Sequence, residues 1–166
     1  MKSNKHFRLI LLLLALCAIG YGTYYALRKT EIVEGHIYPA GKYIYSQHLV
    51  VKHFPLTDKA KISWWKSNVA LLKTRYDLEV SGGSRYSVVI WDYGSGYEVY
   101  REGSFLEFSQ PDHFCFEDMT ADENCLDKGN ILMKVKMDAS GRINYDIGLK
   151  TYVEEKSGRM WVREWR

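Results

Sequence analysis

The residues of this chain with the capacity for chemistry are few and scattered. Four histidines, His36, His48, His53 and His113, lie beyond the first thirty residues, and Asp92 and Asp112 are the carboxylates nearest to them in sequence character. Metal sites bring their ligands in short, repeated spacings, and these histidines follow none of them. There is no Gly-x-Ser-x-Gly elbow, no His-Glu-x-x-His, no Walker-type loop before Lys-Ser/Thr and no Cys-x-x-Cys. The string Trp91-Asp92-Tyr93-Gly94-Ser95-Gly96 offers Asp92 as an acid or base, yet a turn in which Asp92 bonds its own backbone explains the same residues. Gly94-Ser95-Gly96 is not followed by a helical pattern, which a phosphate cradle needs. The expectation is a protein that is not an enzyme and carries no cofactor and no metal.

The cysteines and carboxylates are more informative. Cys115 and Cys125 are the only cysteines beyond an N-terminal apolar run, and in an oxidising compartment such a pair reads as a disulfide. Closing a loop of about 11 residues stabilises a fold by roughly 2 to 3 kcal/mol. Around the pair stand Asp112, Glu117, Asp118, Asp122, Glu123 and Asp127, with no Lys or Arg between Pro111 and Lys128. The spacing lacks the Asp-x-Asp-x-Asp-Gly order of a calcium loop. It reads as a solvated acidic loop or as a surface for a cationic partner, and Glu117, Asp118, Asp122 and Glu123 are its candidate contacts. Trp64 joins that list: neighbouring helix residues point about 100° apart, so if Trp65 enters the core, Trp64 sits at its margin, finishing the core or anchoring a partner.

What must position these residues begins with a membrane segment. Leu9 to Leu27 is 19 residues without a charge. As a helix it reaches roughly 28 Å, close to the hydrocarbon thickness of a bilayer. Tyr21, Tyr24 and Tyr25 gather at its far end, where amphipathic rings favour the headgroup layer, and Arg28-Lys29 stop it. A cleaved signal peptide is the rival reading, with Ala18-Ile19-Gly20 as the processing site, but the apolar run continues well past it. A lipoprotein reading founders on the bulky Leu16 before Cys17. Lys2, Lys5 and Arg8 outnumber the two basic residues after the run, which favours the N-terminus inside. The expected plan is a cytoplasmic basic tail (1–8), a transmembrane anchor contacting the lipid bilayer (9–27), and a periplasmic domain (30–166) on a single-pass inner-membrane protein.

The formal charge of +3 belongs to those flanks: beyond Lys29 there are 18 basic against 20 acidic residues. No clustered Lys/Arg stripe remains to meet phosphates, so nucleic acid is excluded as a partner.

In the exported part, Glu31–Tyr38 and Tyr43–His53 are β-prone and separated by Pro39-Ala40-Gly41-Lys42, a hairpin pattern. Thr57 or Asp58 can cap a helix running to about Tyr76, with Ile62, Trp65, Val69, Leu72 and Tyr76 on one face. After the break at Ser81–Ser84, the run Arg85–Trp91 reads as a strand. The tight turn after it predicts pairing with Tyr97–Arg101. Ser109–Gly129 reads as irregular. Ile131–Met137, Arg142–Ile147, Leu149–Glu155 and Met160–Trp165 resemble a meander. The fold class is α+β, an N-terminal transmembrane helix followed by a mainly antiparallel sheet with one packed helix.

Three strings in this order, Val51-Lys52-His53-Phe54-Pro55-Leu56-Thr57-Asp58-Lys59-Ala60-Lys61-Ile62-Ser63-Trp64-Trp65, then Trp91-Asp92-Tyr93-Gly94-Ser95-Gly96-Tyr97, then Cys115-Phe116-Glu117-Asp118-Met119 with Asn124-Cys125, resemble an enterobacterial family of membrane proteins, domain of unknown function 943. The likeness spans nearly the whole chain and is loosest after Met137. It implies a single-anchor bacterial envelope protein and carries over no catalytic or binding residues. The functional expectation is a non-catalytic protein-binding module, immunity-like, for an unidentified protein partner. The alternatives are an accessory or structural subunit of an envelope complex and, further off, an enzyme whose pocket joins Asp92 to a histidine.

Overall fold

The uncharged run lies inside helix α1 (Ser3–Leu27), and His6–Tyr24 of that helix is long and apolar enough to cross a membrane. Its described side chains are all exposed. The computed structural model describes residues 3–39, 45–76, 86–100 and 112–164. The expected turn at residues 40–42, the break at 81–84, Arg101, Ser109–Pro111 and Trp165 fall outside them.

Ten strands follow: β1 (Glu31–Pro39), β2 (Tyr45–Lys52), β3 (Ser87–Asp92), β4 (Glu98–Val99), β5 (His113–Cys115), β6 (Glu123–Asp127), β7 (Ile131–Met137), β8 (Ile143–Ile147), β9 (Lys150–Glu154) and β10 (Met160–Glu164). Helix α2 (Asp58–Tyr76) separates β2 from β3. Seven strands form one sheet in the order β1-β2-β3-β7-β8-β9-β10, and β4-β6-β5 form a second, smaller one. All pairs in the large sheet are antiparallel except β2 with β3, because α2 is the crossover that parallel neighbours require.

Helix α2 starts where Thr57 Oγ1 accepts the Ala60 N–H. Ile62, Trp65 and Leu72 are buried, with Val69 and Tyr76 partly so, against Leu49, Val51, Val88, Ile90, Met133, Val135 and Tyr145. The expected helix face is therefore the one that packs. Strands β2 and β3 are buried on both faces, since their alternate residues Val50, Val89 and Trp91 meet Phe116 and Leu126 of the disulfide-bearing unit. The molecule is layered as helix, large sheet, small sheet.

Two expectations are corrected. The strand after the Asp92–Gly96 turn does not return along β3; β4 pairs with β6 in the other sheet. Gly94 and Gly96 adopt φ of 52° and 113°, and the Gly96 N–H closes on the Tyr93 carbonyl. That backbone path carries the chain across to the second layer instead of folding it into a two-residue hairpin. The segment read as irregular likewise contains β5, β6 and the 3-10 turn Lys128–Asn130. Its strands are too short and too acidic for period-two patterning to reveal them.

A β-bulge in β1 decides what faces the small sheet. Ile32 pairs with Val51, yet Glu34 pairs with Val50, so Val33 is the extra residue. Ile32 packs into the helix-side core, and the shift sends Glu34 and His36 to the opposite face.

Candidate functional site

On that face His36 and His48 are direct cross-strand neighbours in β1 and β2. Both rings are buried, 2% and 4% exposed, beneath two phenylalanines of the disulfide unit. His36 stacks on Phe116 at 4.1 Å between centroids, and His48 on Phe114 at 4.6 Å. Alternation along the extended chain delivers this pair: Phe114 and Phe116 flank Cys115, so both rings turn toward the sheet.

His36 is the hub. Its Nδ1 lies 3.0 Å from Asp118 Oδ2 and its Nε2 lies 2.9 Å from the Tyr97 hydroxyl. That hydroxyl donates to Glu34 Oε2 at 3.2 Å. Both ring nitrogens thus have an oxygen partner within hydrogen-bond distance. Burial, with the Glu34 carboxylate beside it, holds the Tyr97 hydroxyl well above the usual tyrosine range, so it remains a neutral donor. His48 differs: its Nδ1 accepts the Trp91 indole N–H at 3.0 Å, and burial followed by the charge of His36 pushes it down to about 4. It is neutral at physiological pH.

Asp118 and Glu34 are about half exposed while the histidine between them is not. The group works as a clasp: the edge strand β1, the chain after β3 and the disulfide unit meet on one side chain. His113 forms a second tie in the same unit, its Nε2 3.4 Å from Glu98 Oε2.

Cys115 and Cys125 are directly opposite in β5 and β6 and form a disulfide. The carboxylates around it divide by role. Asp112 pairs with Lys128, Asp127 accepts the Gly129 N–H, and Asp118 is held by His36. Glu117, Asp122 and Glu123 are exposed, and none enters an ion pair among the described residues. Trp64 lies elsewhere, half-buried at the rim of the helix-side core with its ring edge-on to Phe54 at 5.0 Å. Asp92 ends β3, and among the described residues no hydrogen bond joins it to a histidine. The described residues hold no group of three or more His, Cys, Asp or Glu arranged for a metal.

Sequence reasoning did not find Glu34, Tyr97 or the pairing of His36 with Asp118. The one local signal was the Glu34-x-His36 spacing, which places both on one face of a strand.

An apolar N-terminal helix long enough to span a bilayer, the one candidate span among the described residues, precedes an α+β domain of helix, sheet and disulfide-closed unit. The chain belongs to the family described as enterobacterial putative membrane protein (DUF943), whose family model matches residues 2–163. No curated protein and no solved structure matches it.

Proposed function

We propose that this protein is a non-catalytic binding module, anchored in the inner membrane by residues 9–27, whose periplasmic domain occupies a cationic surface of a protein partner in the manner of an immunity protein. The observation that carries this reading is the placement of Glu117, Asp122 and Glu123 on a unit that is closed by Cys115–Cys125 and fastened to the large sheet through Asp118 and His36. Carboxylates held on a rigid platform lose little freedom when a partner docks, and their like charge steers a cationic surface toward them.

The test is affinity capture by the full-length protein from native envelope and secreted fractions, beside the variant Glu117→Gln, Asp122→Asn, Glu123→Gln with Asp118 left in place. One stoichiometric partner is expected, with affinity that falls as ionic strength rises and falls about tenfold or more in the triple variant. A captured toxin supports the immunity reading, and an envelope subunit would replace it with an assembly role. Capture undiminished by the three substitutions would reject the acidic surface.

A further inference from the structure

Strand register gathers one end of the domain around the exit of α1: β1, β7 and β9 begin there, and β2, β3 and β8 end there. Only Arg28, Lys29 and Thr30 separate Leu27 of α1 from Glu31 of β1, a path of at most about 14 Å. That short link is fastened to the domain. Arg28 Nη1 lies 3.5 Å from His53 Nδ1, and the Thr30 hydroxyl donates to the His53 carbonyl at 3.2 Å. Every side chain from His6 to Tyr24 is exposed, so α1 projects from this end rather than packing on the domain. His53 opens the loop to α2, and three residues further on that loop carries Leu56, 82% exposed. The turn from β8 to β9 at the same end carries Leu149, 76% exposed. Among the described residues outside α1 these are the two most exposed large apolar side chains. The Tyr152 hydroxyl donates to Asp58 Oδ2 at 2.7 Å, which ties the start of α2 to β9 and so brings the two loops to one region.

We propose that this end of the domain docks on the bilayer that α1 spans, with Leu56 and Leu149 inserted at the headgroup boundary. The proposal rests on the anchored reading of α1, and the fastened link selects the occupant. Leu56 is at most about 11 Å of chain from His53, and His53 holds the first residue after α1. A helix that crosses the hydrocarbon therefore brings both leucine loops to the lipid surface beside its own exit. Two leucines are too little apolar surface to hold a free domain on a membrane. Here the span supplies a high local concentration of lipid, so the loops need only complete a contact already made. Charges of both signs stand at this end, Lys29, Glu31 and Lys59 among them, so apolar insertion rather than net charge drives the contact. Docking fixes the tilt of the domain above the membrane.

The test is fluorescence quenching of the full-length protein in nanodiscs of phosphatidylethanolamine and phosphatidylglycerol that contain spin-labelled lipid. A fluorophore on Cys17, the free thiol of α1, reports the span itself. In the Cys17→Ser background, fluorophores at Lys59→Cys and Lys150→Cys stand beside the two loops, and one at Lys73→Cys stands about 21 Å further along α2. Lipid is expected to quench the labels at 59 and 150 about threefold or more above the label at 73, at low and at high salt alike. Leu56→Ser with Leu149→Ser should remove most of that difference, and Leu56→Phe with Leu149→Phe should keep it. Both leucines are exposed, so the unfolding transition should stay in place in either pair. A quenched Cys17 label with unquenched labels at 59 and 150, or quenching there that survives the serine pair, would overturn the docking and leave the span intact. An unquenched Cys17 label would overturn the span and the docking with it.

Discussion

His36 on edge strand β1 and Asp118 in the disulfide unit are 82 residues apart in sequence and 3.0 Å apart in the fold. The contact ties the outer layer to the terminal strand of the large sheet. A hydrogen bond to a charged group contributes about 1.5 to 3 kcal/mol when buried, and the half-exposed carboxylate lowers that toward 1. Denaturant unfolding of the full chain in detergent, with His36→Gln, Asp118→Asn and the double variant, is therefore expected to show a coupling of about 1 kcal/mol. Additive single effects would mean that the two side chains are only neighbours.

His48 makes stability depend on pH. In the folded chain it titrates at about 4, pushed down by burial first and by His36 second, with Asp118 opposing and Lys134 adding to the shift, against 6.5 in the unfolded chain. The unfolded chain gains a proton near pH 6.5 that the folded chain refuses until about pH 4. This contribution is thus complete above pH 6.5 and is lost as pH falls toward 4. Between pH 7 and 5 the loss is about 2 kcal/mol. His48→Gln, which keeps an acceptor for the Trp91 indole, should flatten the unfolding midpoint over that range; an unchanged slope would assign the pH dependence to other groups.

Removing the disulfide tests the platform. Cys115 and Cys125 are 10 residues apart, and releasing that loop costs about 3 kcal/mol by the chain-entropy estimate. The variant Cys115→Ser, Cys125→Ser should unfold at correspondingly lower denaturant. It should also bind the captured partner less tightly, since Glu117, Asp122 and Glu123 would sit on a looser segment.

Helix α2 supplies an internal contrast. Leu72 is fully buried and its neighbour Leu71 is 61% exposed. Leu72→Ala should destabilise by about 2 to 5 kcal/mol and Leu71→Ala by about 0.5 or less, measured by the same unfolding transition. Similar losses at the two positions would show that the helix packs by a different face.

Much of this molecule is written locally. The apolar run, the Ile62/Trp65/Leu72 face, the strands of the C-terminal meander and the cysteine pair are legible because each depends on residues within a few turns or a short loop, through periodicity, charge and spacing. The sequence by itself determined a long apolar N-terminal helix, one packed helix and a mainly antiparallel sheet. Only the tertiary structure decided the partners of β3 and β4. Gly94 and Gly96 announce a turn, but its direction rests on backbone angles and on a second sheet that no local pattern describes.

The clasp is the clearest case. Simple alternation places Ile32, Glu34 and His36 on one face of β1, where the two polar residues would oppose the apolar underside of α2. The extra residue at Val33 separates them, so Ile32 meets the helix core and His36 meets Phe116, Tyr97 and Asp118. Nothing in the string Glu31-Ile32-Val33-Glu34-Gly35-His36 marks the bulge. It exists because apolar burial on one side and hydrogen bonding on the other are satisfied together only when three distant segments close around this strand.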